Sequence, residues 1–383
     1  MAQAWLVYRL TGSPFLLGLA EFLARAPILV FGLAGGLVAD RWPRHRLLVI
    51  TQSLLLAQAG SLAALTLTGT ITIRWILGLA LLLGFISALD VPVRQAFVMD
   101  LVLRPDIPSA IGLSSSIFNA SRLIGPSLAG FLVGVAGEGA CFLVNALSFL
   151  VILGCLMAMQ VNHTARSEQR GAMGLLTEGL AYARRTPHVL AVIVLVSVLG
   201  VVSMPFSTLL PVFAGAVLHT GPGGLGLLMG ATGIGALSAA LRLARRGTVV
   251  GLVASIARSA GLFGGGLLVL AASSISWVSL AALMAVGFGM VSSFAGANTL
   301  LQSKAPEALR GRVASLYATV SLGSTIFGSL LAGTGATYFG APRTVAVGGS
   351  ITLTAAAVFW MTQRNTRVQA AEGPLPSLEE VVK

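Results

Sequence analysis

Six charged residues stand inside long apolar runs: Glu21 and Arg25, Asp90 and Arg94, Arg122, and Arg258. A charge in hydrocarbon is expensive, so each is a candidate for function. The first four form two i,i+4 pairs, a spacing that brings the partners onto one helix face and lets them neutralise each other. Arg122 has no such neighbour and cannot shed its proton. It is expected to meet an acid on another helix, with Glu21 and Asp90 as the candidates. An acid held ionised by a fixed arginine in one arrangement, and freed to take a proton in another, is the minimal chemistry of proton coupling. A static structural ion pair accounts for the same residues without any coupling. Asp100 closes the run that carries Asp90. Arg258 lies at depth or snorkels to the interface, and the sequence names no partner for it.

Two further sets of residues could work mechanically. In Gly36-Leu37-Val38-Ala39-Asp40-Arg41, followed by Arg44, His45 and Arg46, the Asp40 carboxylate could accept backbone N–H bonds or an arginine where two helix ends meet. A plain basic loop would need the arginines but not the Gly-x-x-x-Asp spacing. In Gly125-Pro126-Ser127-Leu128-Ala129-Gly130, small residues let two helices touch backbone to backbone. Pro126 lets the helix bend there, so Gly125, Pro126 and Gly130 are expected to form a packing hinge. A substrate cavity is expected to be lined by Phe85, Asn119, Met204, Phe206, Met290, Phe294, Asn298 and Tyr317, a set that suits greasy and variable ligands because methionine repacks easily. Core packing is the alternative for each of these singly.

Catalysis has little support. There is no G-x-x-x-x-G-K-[ST] phosphate loop, and the two lysines, Lys304 and Lys383, sit in no glycine loop. His45, His163, His188 and His219 are scattered, with no G-x-S-x-G or H-E-x-x-H arrangement. No enzyme activity, metal or cofactor is expected. Cys141 and Cys155 fall on one apolar run, too far apart along a helix to bridge.

The elements that must carry these residues follow from composition. Of 383 residues, 56% are hydrophobic and 9% charged, with a mean hydropathy of +0.92, whereas a soluble domain carries about a quarter charged residues. The apolar runs have the length needed to cross about 30 Å of hydrocarbon, and lipid-exposed spans must be helical to satisfy their own backbone. Breaks at Gly, Pro and Arg clusters predict spans near 14–39, 46–68, 73–99, 107–136, 139–160, 188–217, 222–244, 248–271, 275–301, 312–338 and 342–362. Met1 to Leu10 reads as the outer end of a twelfth helix, which makes Met1 an expected internal or misassigned start. The formal charge of +12 would suggest nucleic acid in a soluble protein. Here the basic residues sit in short loops, 17 on one side and 3 on the other, the pattern that sets membrane orientation. Both termini and the central loop are therefore expected to be cytoplasmic, in a multi-pass protein of the cytoplasmic membrane. Nucleic acid is not an expected partner.

The chain divides into a bundle over residues 1–160 with an incomplete first helix, a cytoplasmic linker over 161–187, a second six-helix bundle over 188–362, and a tail over 363–383 expected to be disordered. Leu175 to Arg185 within the linker reads as a short interfacial helix or a solvated loop. The hexapeptide Gly125 to Gly130 recurs as Gly328-Ser329-Leu330-Leu331-Ala332-Gly333, 203 residues later, as parallel halves would require.

The loop from Gly36 to Arg46 resembles the G-x-x-x-D-R-x-G-R-[RK] signature of the major facilitator superfamily, with Pro43 where the family often has glycine. Together with Asp90-Val91-Pro92-Val93-Arg94-Gln95-Ala96-Phe97 and the Arg122 to Gly130 segment, which is similar to the antiporter element G-P-x-x-G-G, it resembles the branch holding enterobactin-type siderophore exporters and macrolide-efflux proteins. The resemblance implies an all-α membrane protein of two six-helix bundles. It implies a monomeric secondary transporter that exports a hydrophobic small molecule by proton antiport with alternating access. An uptake symporter, a lipid flippase or a truncated non-transporting membrane protein are the other readings.

Overall fold

The computed structural model describes residues 1–102, 106–159, 180–245 and 251–372. Every described element is a helix, as long apolar stretches without sheet partners require. In chain order they are α1 (Ala2–Thr11), α2 (Pro14–Arg41), α3 (Arg44–Leu67), α4 (Ile73–Asp100), α5 (Ile107–Ala158), α6 (Pro187–Val217), α7 (Gly221–Ala244), α8 (Leu252–Ala272), α9 (Ser276–Lys304), α10 (Arg310–Phe339) and α11 (Ala341–Glu372).

Residue types explain the boundaries. Gly12 closes α1 in the left-handed conformation at φ 60°, and Ser13 then accepts from the Leu16 amide while Pro14 opens α2, a cap followed by a proline where no N–H is needed. Pro205 and Pro211 each remove an amide donor and crowd the preceding turn. Around them α6 widens into π turns at Leu199–Ser203 and Phe213–Val217.

Among the described residues ten helices are long and apolar enough to cross a membrane, against eleven expected complete spans. The difference lies in α5, which runs through both expected spans 107–136 and 139–160 and is interrupted only at Gly137, with φ 79° and ψ 173°. Only glycine takes that conformation without strain. Asp100 and Leu156, on either side of the pair, both bond to the start of α3, so the chain reverses at Gly137. Gly340, 203 residues later, makes the same turn between α10 and α11 at φ 83° and ψ 154°.

The expected tail begins at residue 363. Helix α11 continues to Glu372, because residues 364–372 hold no glycine or proline and the first breakers are Gly373 and Pro374. Most of the expected linker falls outside the described residues, although residues 180–185 are helical.

The helices alternate in direction, so the arginine-rich loops gather at one end, hereafter the basic end. The positive-φ glycines Gly12, Gly69, Gly137, Gly221 and Gly340 lie at the other. The most extensive crossings between the segments before and after the expected linker are α2 with α10 and α5 with α7, and α6 also packs against α1 and α2.

Candidate functional site

The two crossings are built alike. On α5, a β-carbon at Gly130 would lie 2.6 Å from Cα of Gly226 and 3.0 Å from the Pro222 carbonyl oxygen on α7. On α10, a β-carbon at Gly333 would lie 3.0 Å from Cα of Gly18 and 2.7 Å from the Pro14 carbonyl oxygen on α2. Side chains essentially never fit at such distances, so all four positions must be glycine for the backbones to meet. The repeated hexapeptide thus closes both seams near the end opposite the basic one. Its partners form a second repeat, Pro14…Gly18 and Pro222…Gly226, that sequence reading missed; the signal was a proline four residues before a glycine at two helix starts. Of the expected hinge residues, Gly130 makes the contact and the Pro126 carbonyl oxygen would lie 3.0 Å from a β-carbon on Gly226, while a β-carbon on Gly125 would meet nothing within 4 Å.

Below the α5–α7 seam a cavity of about 370 Å³ opens between α5, α6, α7 and α9. Met204, Phe206 and Met290 from the expected set line it, with Ser121, Pro126 and Thr232. The other described members of the expected set make different contacts. Phe85 packs on Phe31 at 5.3 Å between ring centroids, Tyr317 donates to the Phe294 carbonyl at 2.8 Å and ties α10 to α9, and Asn298 accepts from Gln302 on its own helix. Asn119 lies outside the described side chains.

Asp90 is buried between α3 and α4, where its Oδ1 accepts from the Thr51 hydroxyl at 2.8 Å and the Gln52 amide at 2.7 Å. Arg94 stands 3.7 Å from Oδ2, with most of its side chain exposed. The carboxylate is thus held by two neutral donors on one oxygen and by the Arg94 guanidinium on the other. Sequence reading found Asp90 but not Thr51 or Gln52, because a polar residue in an apolar run carries no pairing information on its own. Glu21 and Arg25 bond to each other, half exposed, beside a second cavity of about 300 Å³ that also touches Gln3 and Ser87. The side chain of Arg122, the expected fixed cation, lies outside the described residues.

At the basic end, Arg44 donates from Nη1 to both Asp100 oxygens at 2.8 and 2.9 Å, joining the start of α3 to the end of α4. His45 beside it reaches the Leu156 carbonyl at 2.7 Å and packs on Phe97. Arg41 and Arg46 are exposed, and Gly36 and the Asp40 side chain lie outside the described residues. At the opposite end Arg9 donates to Glu138 at 2.7 Å, a pair that fastens α1 beside the Gly137 turn. Sequence reading gave Glu138 no role, since it stands in a two-residue break between apolar runs.

The profile of a family described as a transmembrane secretion effector matches residues 1–380. The staphyloferrin A transporter of Staphylococcus aureus is 27% identical over 371 residues, 96% of this chain and 92% of that protein. Macrolide efflux protein A of Streptococcus pyogenes is 25% identical over 224 residues, 56% of this chain and 54% of that protein. Among solved structures, a bacterial homologue of the human lysosomal transporter Spinster, in an inward-facing and occupied conformation, superposes with a TM-score of 0.72 at 13% identity, covering 94% of this chain and 91% of that one.

Proposed function

The chain belongs to the transmembrane secretion effector family, a branch of the major facilitator transporters, and from that premise we propose that it exports a hydrophobic small molecule by alternating access, driven by proton antiport. The observation that carries this reading is the pairing of two sealed glycine seams with an apolar cavity beneath one of them. A molecule entering from the basic end would reach Met204, Phe206 and Met290, and parting of the seams would release it at the far side. Basic residues concentrated at the end away from the seams favour a cytoplasmic entrance, and the efflux relative is in keeping with outward transport. The family relationship makes the chain a transporter rather than an enzyme.

Asp90 is the proposed proton carrier, because it is a buried carboxylate whose described donors are mostly neutral. Two bundles, 1–160 and 188–362, joined by a cytoplasmic linker would be the moving bodies. The test is uptake into inverted membrane vesicles under an imposed proton gradient, with substrates drawn from a susceptibility profile of cells lacking or overexpressing the protein. Accumulation that collapses with the gradient supports export by antiport. Accumulation only in right-side-out vesicles would instead indicate an uptake symporter, and gradient-independent lipid movement a flippase.

A further inference from the structure

Arg242 and Arg258 flank a small cleft where α7, α8 and α9 meet, of about 130 Å³, completed by Ser255, Ser259, Leu262 and Phe288. Arg258 stands on the face of α8 opposite its buried residues. It is six residues from the helix start, about 9 Å at 1.5 Å per residue. Its Nε donates to the Ala254 carbonyl at 3.3 Å, one turn nearer the basic end, so the side chain snorkels in that direction. The Arg242 guanidinium lies over the Phe288 ring at 5.5 Å from the centroid. Among the described residues neither arginine is ion-paired.

Leu262 in the wall of this cleft is 43% exposed, and residues of the adjoining helices are exposed too, Leu241 beside Arg242 at 52% and Met284 one turn before Phe288 at 40%. Two unpaired cations on a hydrocarbon-facing surface are costly unless an anion comes to them. The substrate cavity does not supply one, since it is lined by other residues. We propose that this cleft holds the phosphodiester of an anionic phospholipid from the leaflet at the basic end, with Arg242 and Arg258 on the phosphate oxygens and Ser255 as a hydroxyl donor. A planar guanidinium matches such oxygens in pairs, and acyl chains would lie along Leu262. A zwitterionic lipid fits less well, because no acid in the cleft could hold its ammonium group. The site is independent of the export reading and would exist in a transporter of either direction.

The purified full-length chain, reconstituted in phosphatidylcholine nanodiscs, is titrated with phosphatidylglycerol and bound lipid is counted by native mass spectrometry. Arg258→Gln and Arg242→Gln are each expected to weaken phosphatidylglycerol binding about fivefold, the effect of roughly one cation at a membrane surface. Photoactivatable phosphatidylglycerol on the wild-type chain should label residues of α7, α8 or α9, a readout that needs no variant to fold. Unchanged binding in the double variant, or labelling confined to other helices, overturns the proposal. So does inorganic phosphate at millimolar concentration displacing the lipid fully, which would make this a free-phosphate site.

Discussion

Gly18 of α2 and Gly333 of α10 approach until a β-carbon on either would stand within 3.1 Å of the other's Cα. The same relation holds between Gly226 and Gly130 on the second seam. Under the alternating-access proposal a contact this close, made twice by one repeated sequence element, would open and close as a unit, because packed backbones have few intermediate arrangements.

Gly333→Val should therefore prise the seam apart. Overpacking costs about 1–3 kcal/mol, enough to shift an opening equilibrium by about 5- to 150-fold. In a background without Cys141 and Cys155, a cysteine introduced at Phe15 should react faster with a membrane-impermeant thiol reagent added outside, and Gly130→Val should behave alike. Equal labelling rates with and without the valine would rule out a gating role for the seam.

How far this arrangement was legible from sequence depends on the kind of signal. Apolar runs, breaks at Gly137 and Gly340, and the Gly125 and Gly328 hexapeptides are periodic or punctuating features, and those lie where expected. Long-range pairs are not periodic. Arg44 finds Asp100 and Arg9 finds Glu138 across 56 and 129 residues of chain, and each arginine had several acids to choose from. Thr51 and Gln52 look like tolerated polar residues until α4 brings Asp90 against them.

The Arg44–Asp100 pair should hold the basic ends of α3 and α4 together. Its side chains are 24% and 22% exposed, so solvent screening reduces it to about 1–2 kcal/mol in a double-mutant cycle. Asp100→Asn and Arg44→Gln should each lower the thermal midpoint of the purified protein, and the double change should cost less than their sum. Strict additivity would mean the two side chains do not interact in the membrane.

Met290→Trp should fill much of the cavity under the α5–α7 seam. Because Met204, Phe206 and Met290 share that space, the substitution should narrow the range of exported compounds toward smaller ones while leaving expression unchanged. A susceptibility profile identical to wild type across compounds of different size would remove this cavity from the substrate path.

The last expectation concerns Asp90, which stands ten residues from Asp100 and so about 15 Å along α4 from the basic end. Thr51 and Gln52 both donate to one carboxylate oxygen, and an asparagine can present its own carbonyl oxygen to the same two donors. Asp90→Asn should therefore fold, at a cost of no more than about 1–3 kcal/mol from its altered contact with Arg94. What it cannot do is exchange a proton. If Asp90 carries the coupling proton, the variant should still exchange labelled for unlabelled substrate across vesicles, yet fail to concentrate it when a proton gradient is imposed. Gln52→Leu provides the control for packing: it removes one donor but keeps the acid, so gradient-driven accumulation should persist. Gradient-driven export by a well-folded Asp90→Asn protein would show that the coupling proton travels through another residue.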